Sequence, residues 1–214
     1  MDLDMDLDLD RLASRARGLI VPGRRRILGI VGPPGAGKST LASELVGRLD
    51  GQAVLVPMDG FHLAGAELRR LGRAERKGAP DTFDAAGYAA LLGRLRSPHP
   101  GTVVYAPDFD RSLEEAVAGS IAVDPAVPLV LTEGNYLLHD DGAWQQVPDL
   151  LDEIWYLHLD DEERVRRLVE RHVRHGRTRP GAERWVRESD EVNARLVAAA
   201  RTRADLVITQ AHTG

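Results

Sequence analysis

The residues with the clearest capacity for chemistry lie in residues 27–41, which read ILGIVGPPGAGKSTL. Gly32 is followed by four residues and then by Gly37, Lys38 and Ser39. Glycines let backbone N–H groups turn inward without Cβ clashes, and a following helix directs the positive end of its dipole at the same point. An anion therefore belongs in this turn, and the pattern is that of a P-loop, which holds a nucleoside triphosphate.

Side-chain chemistry assigns roles within the loop. Lys38 is expected to reach the β and γ phosphates, and the Ser39 hydroxyl to ligate a bridging Mg²⁺. P-loops serve kinases, GTPases and motor ATPases alike, but the Asn-Lys-x-Asp guanine reader of GTPases is absent from the sequence. The predicted nucleotide-binding residues are Gly32, Pro33, Pro34, Gly35, Ala36, Gly37, Lys38, Ser39 and Thr40.

A carboxylate follows the next apolar run, in the stretch VPMDGFHL. In an open α/β sheet, ligands bind beyond the carboxyl ends of strands, so Asp59 should face the triphosphate. Such a carboxylate can take the proton from an attacking hydroxyl, although Asp59 could instead cap the turn before Gly60. His62 could touch the acceptor substrate or serve only as a surface or packing histidine.

Two further polar stretches could contact an acceptor. In RKGAPDTFD, Asp81 could bind substrate hydroxyls or only shape the turn. In YAPDFDR, the residues Tyr105, Asp108 and Arg111 would form a polar rim for a hydroxylated small molecule, with a structural Asp110–Arg111 ion pair as the alternative.

A second acidic residue, Glu133, ends the apolar run in LVLTEGNYLL. P-loop folds place at this position the acid that orients Mg²⁺, usually through water. Glu133 is therefore predicted to contact the metal and the substrate, and an ordinary strand-end cap is the alternative.

Arginines recur after Asp160, at positions 164, 167, 171 and 174. Spacings of three and four place them on one helix face. In a phosphotransferase, mobile arginines close over the phosphates and stabilise the charge that develops in transfer. We expect Arg167 and Arg171 in this role and Arg174 at the substrate. The alternative is a solvated face paired with Glu163 and Glu170.

The elements that position these residues follow from apolar runs of strand length, each separated from the next by a helical pattern or a loop. Runs of this continuous kind are typical of buried parallel strands, which indicates a doubly wound α/β sheet. Three helices are predicted: one after the P-loop, one starting at the N-cap Asp84, and one in DDEERVRRLVERHVRHG. The six runs cover residues 26–31, 53–57, 102–106, 128–132, 153–159 and 205–209.

Composition narrows the class of protein. The chain has 214 residues and no cysteine, which favours one domain in a reducing cytoplasm. Its net charge of -5 belongs to an N-terminal segment with five aspartates, without which acidic and basic residues balance. A neutral body is not expected to bind nucleic acid, and no apolar run approaches the roughly 18 residues of a membrane span. The acidic segment is predicted to be disordered.

With these residues placed, the chain resembles the uridine kinase, phosphoribulokinase and type I pantothenate kinase superfamily over residues 26–209. Within it, the chain is most similar to the bacterial nucleoside/nucleotide kinase-like proteins, some of which are called fructose-transport kinases. The stretches that carry the resemblance are GPPGAGKST, MDGFHL, RKGAPDTFD, APDFDR, TEGNYLL, RLVERH and WVRESDEVNARLV.

The resemblance implies a P-loop NTPase fold, a three-layer α/β/α arrangement with a five-stranded parallel sheet and a helical lid at about 162–182. Residues 1–20 would then be the acidic tail leading into a helix, and residues 21–214 a single kinase domain. It also implies ATP and Mg²⁺ as cofactors and phosphorylation of a small-molecule hydroxyl. Dimers are common among such enzymes, so a homodimer is one option.

Individual residues carry over by position. Asp59 matches the catalytic aspartate of the family, Lys38 and Ser39 match its phosphate and Mg²⁺ ligands, and Asp81 matches an aspartate of uridine kinases. Uridine kinases have Asp-Ser-Phe-Tyr where this chain has Asp-Gly-Phe-His, so the contacts to a base do not carry over. The acceptor is expected to be a nucleoside or nucleotide-like molecule, with pantothenate, a sugar or a noncatalytic regulatory role left as alternatives.

Overall fold

A parallel β-sheet forms the centre of the protein, whose computed structural model describes residues 5, 6 and 8–210. Six of the described strands form this sheet in the order β1-β8-β7-β2-β6-β3, and β4 and β5 form a separate antiparallel hairpin. In chain order the strands are β1 (Met5–Asp6), β2 (Arg26–Val31), β3 (Ala53–Leu55), β4 (Val104–Asp110), β5 (Glu115–Val123), β6 (Leu129–Gly134), β7 (Glu153–His158) and β8 (Leu206–Thr209).

Helices cover both faces of the sheet. The α-helices of the described residues are α1 (Leu9–Gly18), α2 (Lys38–Arg48), α3 (Gly65–Arg70), α4 (Ala85–Arg96), α5 (Asp161–Arg174), α6 (Arg179–Trp185) and α7 (Glu191–Ala199). Within this part of the chain, none of the helices has the length and apolar character to cross a bilayer.

The alternation of side chains along β2 explains why there are three layers. Leu28 and Ile30 pack in a core that includes Leu12 of α1 and Leu45 of α2. Neighbouring residues of β2 point to the opposite face, where a second core contains residues of α4 and α7. Both faces of the sheet are therefore buried, and this burial accounts for the continuous apolar runs in the sequence.

The predicted parallel sheet of five strands and the three predicted helices are confirmed, and the short strand β1 adds a sixth strand beside β8. Five of the six apolar runs form β2, β3, β6, β7 and β8, all parallel to their neighbours. Helix α4 starts after Asp84, whose side chain accepts a hydrogen bond from the Gly87 N–H. The region expected to be the lid contains α5 and α6, and one π-helical turn, Val186–Asp190, joins α6 to α7.

The assignment of residues 102–106 to the main sheet is wrong. This run enters β4, which pairs antiparallel with β5, from Val104 opposite Val123 to Asp110 opposite Glu115. An apolar run shows that a strand is buried on one side or both, but not which strand it pairs with. The stretch YAPDFDR therefore lies within a hairpin strand instead of following a strand of the sheet.

Part of the N-terminal segment predicted to be disordered has a defined structure. Met5 and Asp6 pair with Ile208 and Thr209 at the edge of the sheet, which gives their backbone groups partners. The Asp8 side chain caps α1 by accepting from two backbone N–H groups, and Leu12 and Ala16 of this helix are buried. For residues 1–4 and 7, the prediction of disorder lies outside the described residues.

Candidate active site

The P-loop connects β2 to α2 and ends in a left-handed residue. Gly37, the N-cap of α2, has a φ of 91°, a conformation that L side chains rarely adopt. No side chain caps the first turn of α2, so its N–H groups are left to bind a ligand. A helix start of this kind, directly after a buried parallel strand, fits a phosphate group.

Lys38 begins α2 and is buried. Its Nζ donates hydrogen bonds to Asn135 Oδ1 at 2.8 Å and to the Pro33 carbonyl at 3.1 Å. Burial lowers the pKa of Lys38 to about 8, and the nearby carboxylates of Glu133 and Asp59 oppose this shift. Because burial disfavours the charged form of Lys38, an anionic phosphate beside it would stabilise that charge.

Ser39 and Glu133 form an oxygen pair beside the loop. The Ser39 hydroxyl donates to Glu133 Oε1 at 2.8 Å. Burial raises the pKa of Glu133, and the charge of Asp59 raises it further, while Lys38 and the Ser39 hydrogen bond lower it. The described residues contain no cluster of three or more His, Cys, Asp or Glu side chains that could hold a metal. One carboxylate and one hydroxyl fit Mg²⁺, which usually takes its remaining ligands from phosphates and water.

Asp59 lies in the turn Met58–Phe61 that follows β3. Because β3 pairs parallel with β6, and β6 with β2, the turn and the P-loop lie beyond the same edge of the sheet, where β6 ends with Glu133 and Gly134. Asp59 Oδ2 accepts a hydrogen bond from Arg111 Nη2 at 3.0 Å. The negative charge of Asp59 acts on the pKa values of both Lys38 and Glu133, as expected for a single electrostatic cluster.

Gly60 allows the hairpin to approach this turn. A Cβ on Gly60 would overlap the Pro107 carbonyl of β4. Only glycine lets the two backbones come so close, and this contact brings Arg111, at the end of β4, to Asp59. The sequence Asp59-Gly60 is thus explained by packing as well as by chemistry.

His62 supports the same turn through a backbone contact and aromatic packing. Its Nδ1 lies 2.8 Å from the Asp59 carbonyl, and its ring packs against Phe83 and Phe109 at 4.0 and 4.8 Å between centroids. Burial lowers the pKa of His62. These contacts correspond to the packing alternative, and the contact of His62 with an acceptor stays a prediction.

Asp81 lies in a short 3-10 turn and is held by two arginines. Arg76 binds both of its carboxylate oxygens, and Arg73 Nε lies 3.3 Å from Oδ2. Arg73 also donates to the Asp81 carbonyl at 2.7 Å. The oxygens predicted to bind substrate hydroxyls are therefore already engaged in charged hydrogen bonds.

The hairpin brings one of its three predicted residues to the cluster. Arg111 contacts Asp59, and the expected alternative, an Asp110–Arg111 ion pair, is wrong because Asp110 accepts from Ser112 and Leu113 instead. The Asp108 carboxylate accepts from the Phe109 N–H. Tyr105 is 58% exposed and points away from the core face of β4, so the structure does not bring it to Asp59.

Four of the five arginines of α5 were predicted to share one helix face, and their environments differ. Arg164 is 1% exposed and binds Asp161 and Glu191, and its Nη1 lies 3.4 Å from the Pro34 carbonyl. Through the Pro34 contact it supports the P-loop backbone, and its buried guanidinium does not face the nucleotide-binding side of the loop.

The other three arginines of this predicted face lie further along α5. Arg167 pairs with Glu163 at 2.7 Å, which corresponds to the solvated-face alternative, although its guanidinium also lies near Gly37. Arg171 has no ion pair among the described residues, and burial lowers its pKa. Arg174 is exposed, and its charge acts on Arg171. Arg171 is thus the arginine most available to a phosphate.

Sequence reasoning missed two residues of this region and the role of a third, Arg164. Asn135 binds Lys38, Arg164 supports the loop, and Gln210 donates to the Ala36 carbonyl at 3.1 Å. Asn135 and Gln210 follow the carboxyl ends of β6 and β8, so the rule that pointed to Asp59 could have found them. The pattern of α5 contained no signal that Arg164 is buried.

The P-loop, the acidic residues beyond the strand ends and the arginines of α5 together define a P-loop phosphotransferase. The Schizosaccharomyces pombe protein named "Putative uridine kinase C227.14" is 32% identical over 212 residues, covering 94% of this chain and 90% of that protein. A solved structure from Silicibacter sp. TM1040, described as a "putative fructose transport system kinase", superposes with a TM-score of 0.84 at 36% identity, covering 94% of this chain and 98% of that one.

A pantothenate kinase of Clavibacter michiganensis is 33% identical over 133 residues, covering 59% of this chain and 41% of that protein. No protein-family model matches the chain. The chain belongs to the P-loop kinases of the uridine kinase family.

Proposed function

We propose that the protein transfers the γ-phosphoryl group of ATP to a hydroxyl of a small molecule, a nucleoside or nucleotide-like compound. The observation that carries the proposal is the position of Asp59 in the turn after β3, at the same edge of the parallel sheet as the P-loop, where its charge acts on the pKa values of Lys38 and Glu133. A general base at this position can accept the proton of the attacking hydroxyl.

Each residue contributes positioning or charge to this reaction. The P-loop amides and Lys38 bind the phosphates, and Arg171 balances the charge that develops between donor and acceptor. Ser39 and Glu133 would hold Mg²⁺, which when bound supplies positive charge to the phosphate oxygens. Since the acceptor attacks in line, no covalent enzyme intermediate is required.

Three acceptor classes follow from the names of similar proteins: uridine, a fructose-related sugar and pantothenate. The described part of the structure shows no contact that identifies a base, so it does not favour uridine over the other two classes. The residues after Asp59 differ from the uridine kinase pattern. The assignment of a nucleoside acceptor is therefore part of this proposal and not a conclusion from similarity.

An ADP-release screen tests the proposal. The purified protein, ATP and Mg²⁺ are combined with nucleosides, nucleotides, pantothenate, and free or phosphorylated sugars, and product phosphorylation is verified by mass spectrometry. At least one acceptor should raise ADP release well above the rate without acceptor. If the protein binds ATP but no acceptor raises ADP release, a noncatalytic regulatory role replaces the proposed reaction.

A further inference from the structure

An open groove of about 690 Å³ lies at the edge of the main sheet where β2 and β6 begin. Three segments form it: the turn after α1, the C-terminal end of α4 with the residues that follow, and the loop before β6. The P-loop follows the other end of β2, and at about 3.3 Å per residue the six residues of this strand put it roughly 20 Å away. The groove is therefore separate from the candidate active site. It is lined by residues 20–25, 96–98 and 125–128.

Arginines supply all the formal charge of this lining. The three segments contain Arg24, Arg25 and Arg96 and no acidic residue. Arg24 is exposed and makes no ion pair within the part of the chain that the structure describes. A concave surface of this kind raises the local concentration of anions.

Arg25 ties the walls of the groove together. It is 5% exposed, and its guanidinium donates to the carbonyls of Val127 at 2.9 Å, Asp124 at 2.6 Å and Leu95 at 3.4 Å. Burial lowers the pKa of Arg25, and the charge of Asp124 opposes this shift. The Asp124 carboxylate itself accepts from the Ala126 N–H at 2.8 Å. The groove thus has braced walls and a buried positive charge whose hydrogen bonds go to carbonyls.

Arg96 has hydrogen-bonding capacity to spare. The carboxylate in its reach is Asp152, which already binds Arg26 Nη1 at 2.6 Å and the Ile27 N–H at 2.8 Å. Arg96 Nη2 lies 3.6 Å from Asp152, and Arg96 Nη1 is buried without a hydrogen-bond partner among the described residues. Because an unpaired buried donor costs free energy, a change of rotamer that brings this guanidinium to an anion in the groove would be favourable.

The remaining walls are rigid and apolar. Gly23 has a φ of 73°, and the Arg24 N–H donates to the Val21 carbonyl at 3.4 Å, which closes a tight turn. Proline has a fixed φ and no N–H, so proline walls offer apolar surface and lose little conformational freedom on binding. The volume lies within the range of small-molecule sites. The apolar lining residues are Ile20, Val21, Pro22, Pro98, Pro125, Ala126, Val127 and Pro128.

We propose that this groove is a second binding site, which takes a small organic anion with a phosphate or carboxylate group on an apolar body. Arg24 and Arg96 bind the anionic group, since guanidinium groups pair with both kinds of anion in a bidentate manner. The proline and valine walls pack against the apolar body. The proposed phosphoryl transfer does not depend on this site.

Four probes of related structure test the proposal. Phenyl phosphate and benzoate carry the two kinds of anionic group, benzyl alcohol is neutral, and inorganic phosphate has no apolar body. Binding is measured by calorimetry with the P-loop filled by a nonhydrolysable ATP analogue and Mg²⁺. The better aryl anion should bind about tenfold or more tightly than benzyl alcohol, the scale of one charged hydrogen bond, and phenyl phosphate more tightly than inorganic phosphate. The amide NMR signals of residues 20–25 and 125–128 should shift on binding.

Two variants place the anion in the groove. Arg24→Gln and Arg96→Gln should each weaken binding of the aryl anion by about fivefold or more and leave benzyl alcohol unchanged. Arg94→Gln is the matched control, because Arg94 is an exposed arginine of the same helix that does not line the groove. It should bind all four probes as the unmodified protein does.

Four results would overturn the proposal. Anion binding that disappears when the P-loop is filled would belong to the active site, and binding that persists in both groove variants would belong to another surface. Absence of binding for every probe would remove the site. A dimer that both groove variants dissociate, measured by analytical ultracentrifugation, would assign the groove to a second copy of the chain.

Discussion

Asp59 Oδ2 and Arg111 Nη2 lie 3.0 Å apart, in an ion pair that joins the turn after β3 to the end of hairpin strand β4. Both side chains are partly exposed, so the pair contributes little to folding. Its importance lies in orientation, because it holds Asp59, the proposed general base, against the hairpin.

Replacing Asp59 by Asn should separate binding from transfer. Asn keeps the shape of the side chain but cannot take a proton, so the rate of acceptor phosphorylation should fall by roughly a hundredfold or more, the scale of general-base contributions. Affinity for ATP, measured by calorimetry, should change little. Asp84→Asn is the control, since Asp84 caps α4 and Asn caps a helix equally well. Turnover of Asp59→Asn close to that of the control would exclude Asp59 as the base.

Gly60→Ala should separate the hairpin from the Asp59 turn. The added Cβ would overlap the Pro107 carbonyl, and backbone atoms cannot move aside as a flexible side chain can. We expect the free energy of unfolding to fall by about 1–3 kcal/mol, as for overpacking, and the acceptor KM to rise because Arg111 is displaced.

Gly93→Ala is the control for the Gly60 variant and should change the free energy of unfolding in the opposite direction. Gly93 lies within α4, and a Cβ there meets no atom within 4 Å. Alanine should therefore stabilise the protein by up to about 1 kcal/mol. Urea denaturation of both variants measures the two effects. Equal stability of Gly60→Ala and the unmodified protein would show that the hairpin moves freely.

Most of the sheet could be predicted from the sequence because its strands are buried on both faces and read as continuous apolar runs. The P-loop and Asp59 could be placed because parallel strands bring their carboxyl ends to one edge. The hairpin could not be predicted, since its pairing partner β5 contains the stretch AVAGSIAV, in which small and apolar residues do not alternate clearly. The contact between Arg111 and Asp59 depends on this hairpin and was missed with it.

Helix α5 shows a second limit of sequence patterns. Spacing placed four arginines on one face, but their surroundings differ. Arg164 lies against the P-loop, Arg167 pairs with Glu163, and Arg171 is left without an ion pair among the described residues. Burial of Arg164 depends on Glu191, which is distant in sequence. Only the ion pair between α5 and the first residue of α7 reveals this difference.

Lys38 should make stability depend on pH. Its pKa is lowered from 10.5 to about 8, so between these values the unfolded state binds more protons, and the free energy of unfolding should rise with pH across that window. The shift corresponds to roughly 3 kcal/mol of destabilisation at neutral pH. Lys38→Met should then be more stable than the unmodified protein at pH 7 and should show a smaller rise above pH 8.

Lys77→Met is the control for this titration, because Lys77 donates at the surface to the Glu114 carbonyl. Denaturation is measured in the absence of nucleotide, since phosphate would pair with the Lys38 ammonium. An unchanged pH slope in Lys38→Met, together with a loss of stability at pH 7, would contradict the assignment of the slope to Lys38.

Arg164→Met should remove a buried side chain that supports the P-loop backbone. The side chain of Arg164 is 1% exposed and links α5 to Glu191 and to the Pro34 carbonyl, so its removal leaves Glu191 without its partner. We expect a loss of about 3 kcal/mol in the free energy of unfolding, as for broken buried pairs, and weaker ATP binding. Arg166→Met is the matched control on the same helix, because Arg166 is 57% exposed and pairs with Glu163 and Glu170 at the surface. Its effect should stay within about 1 kcal/mol. Equal effects of the two variants on stability and on ATP affinity would show that Arg164 does not support the loop.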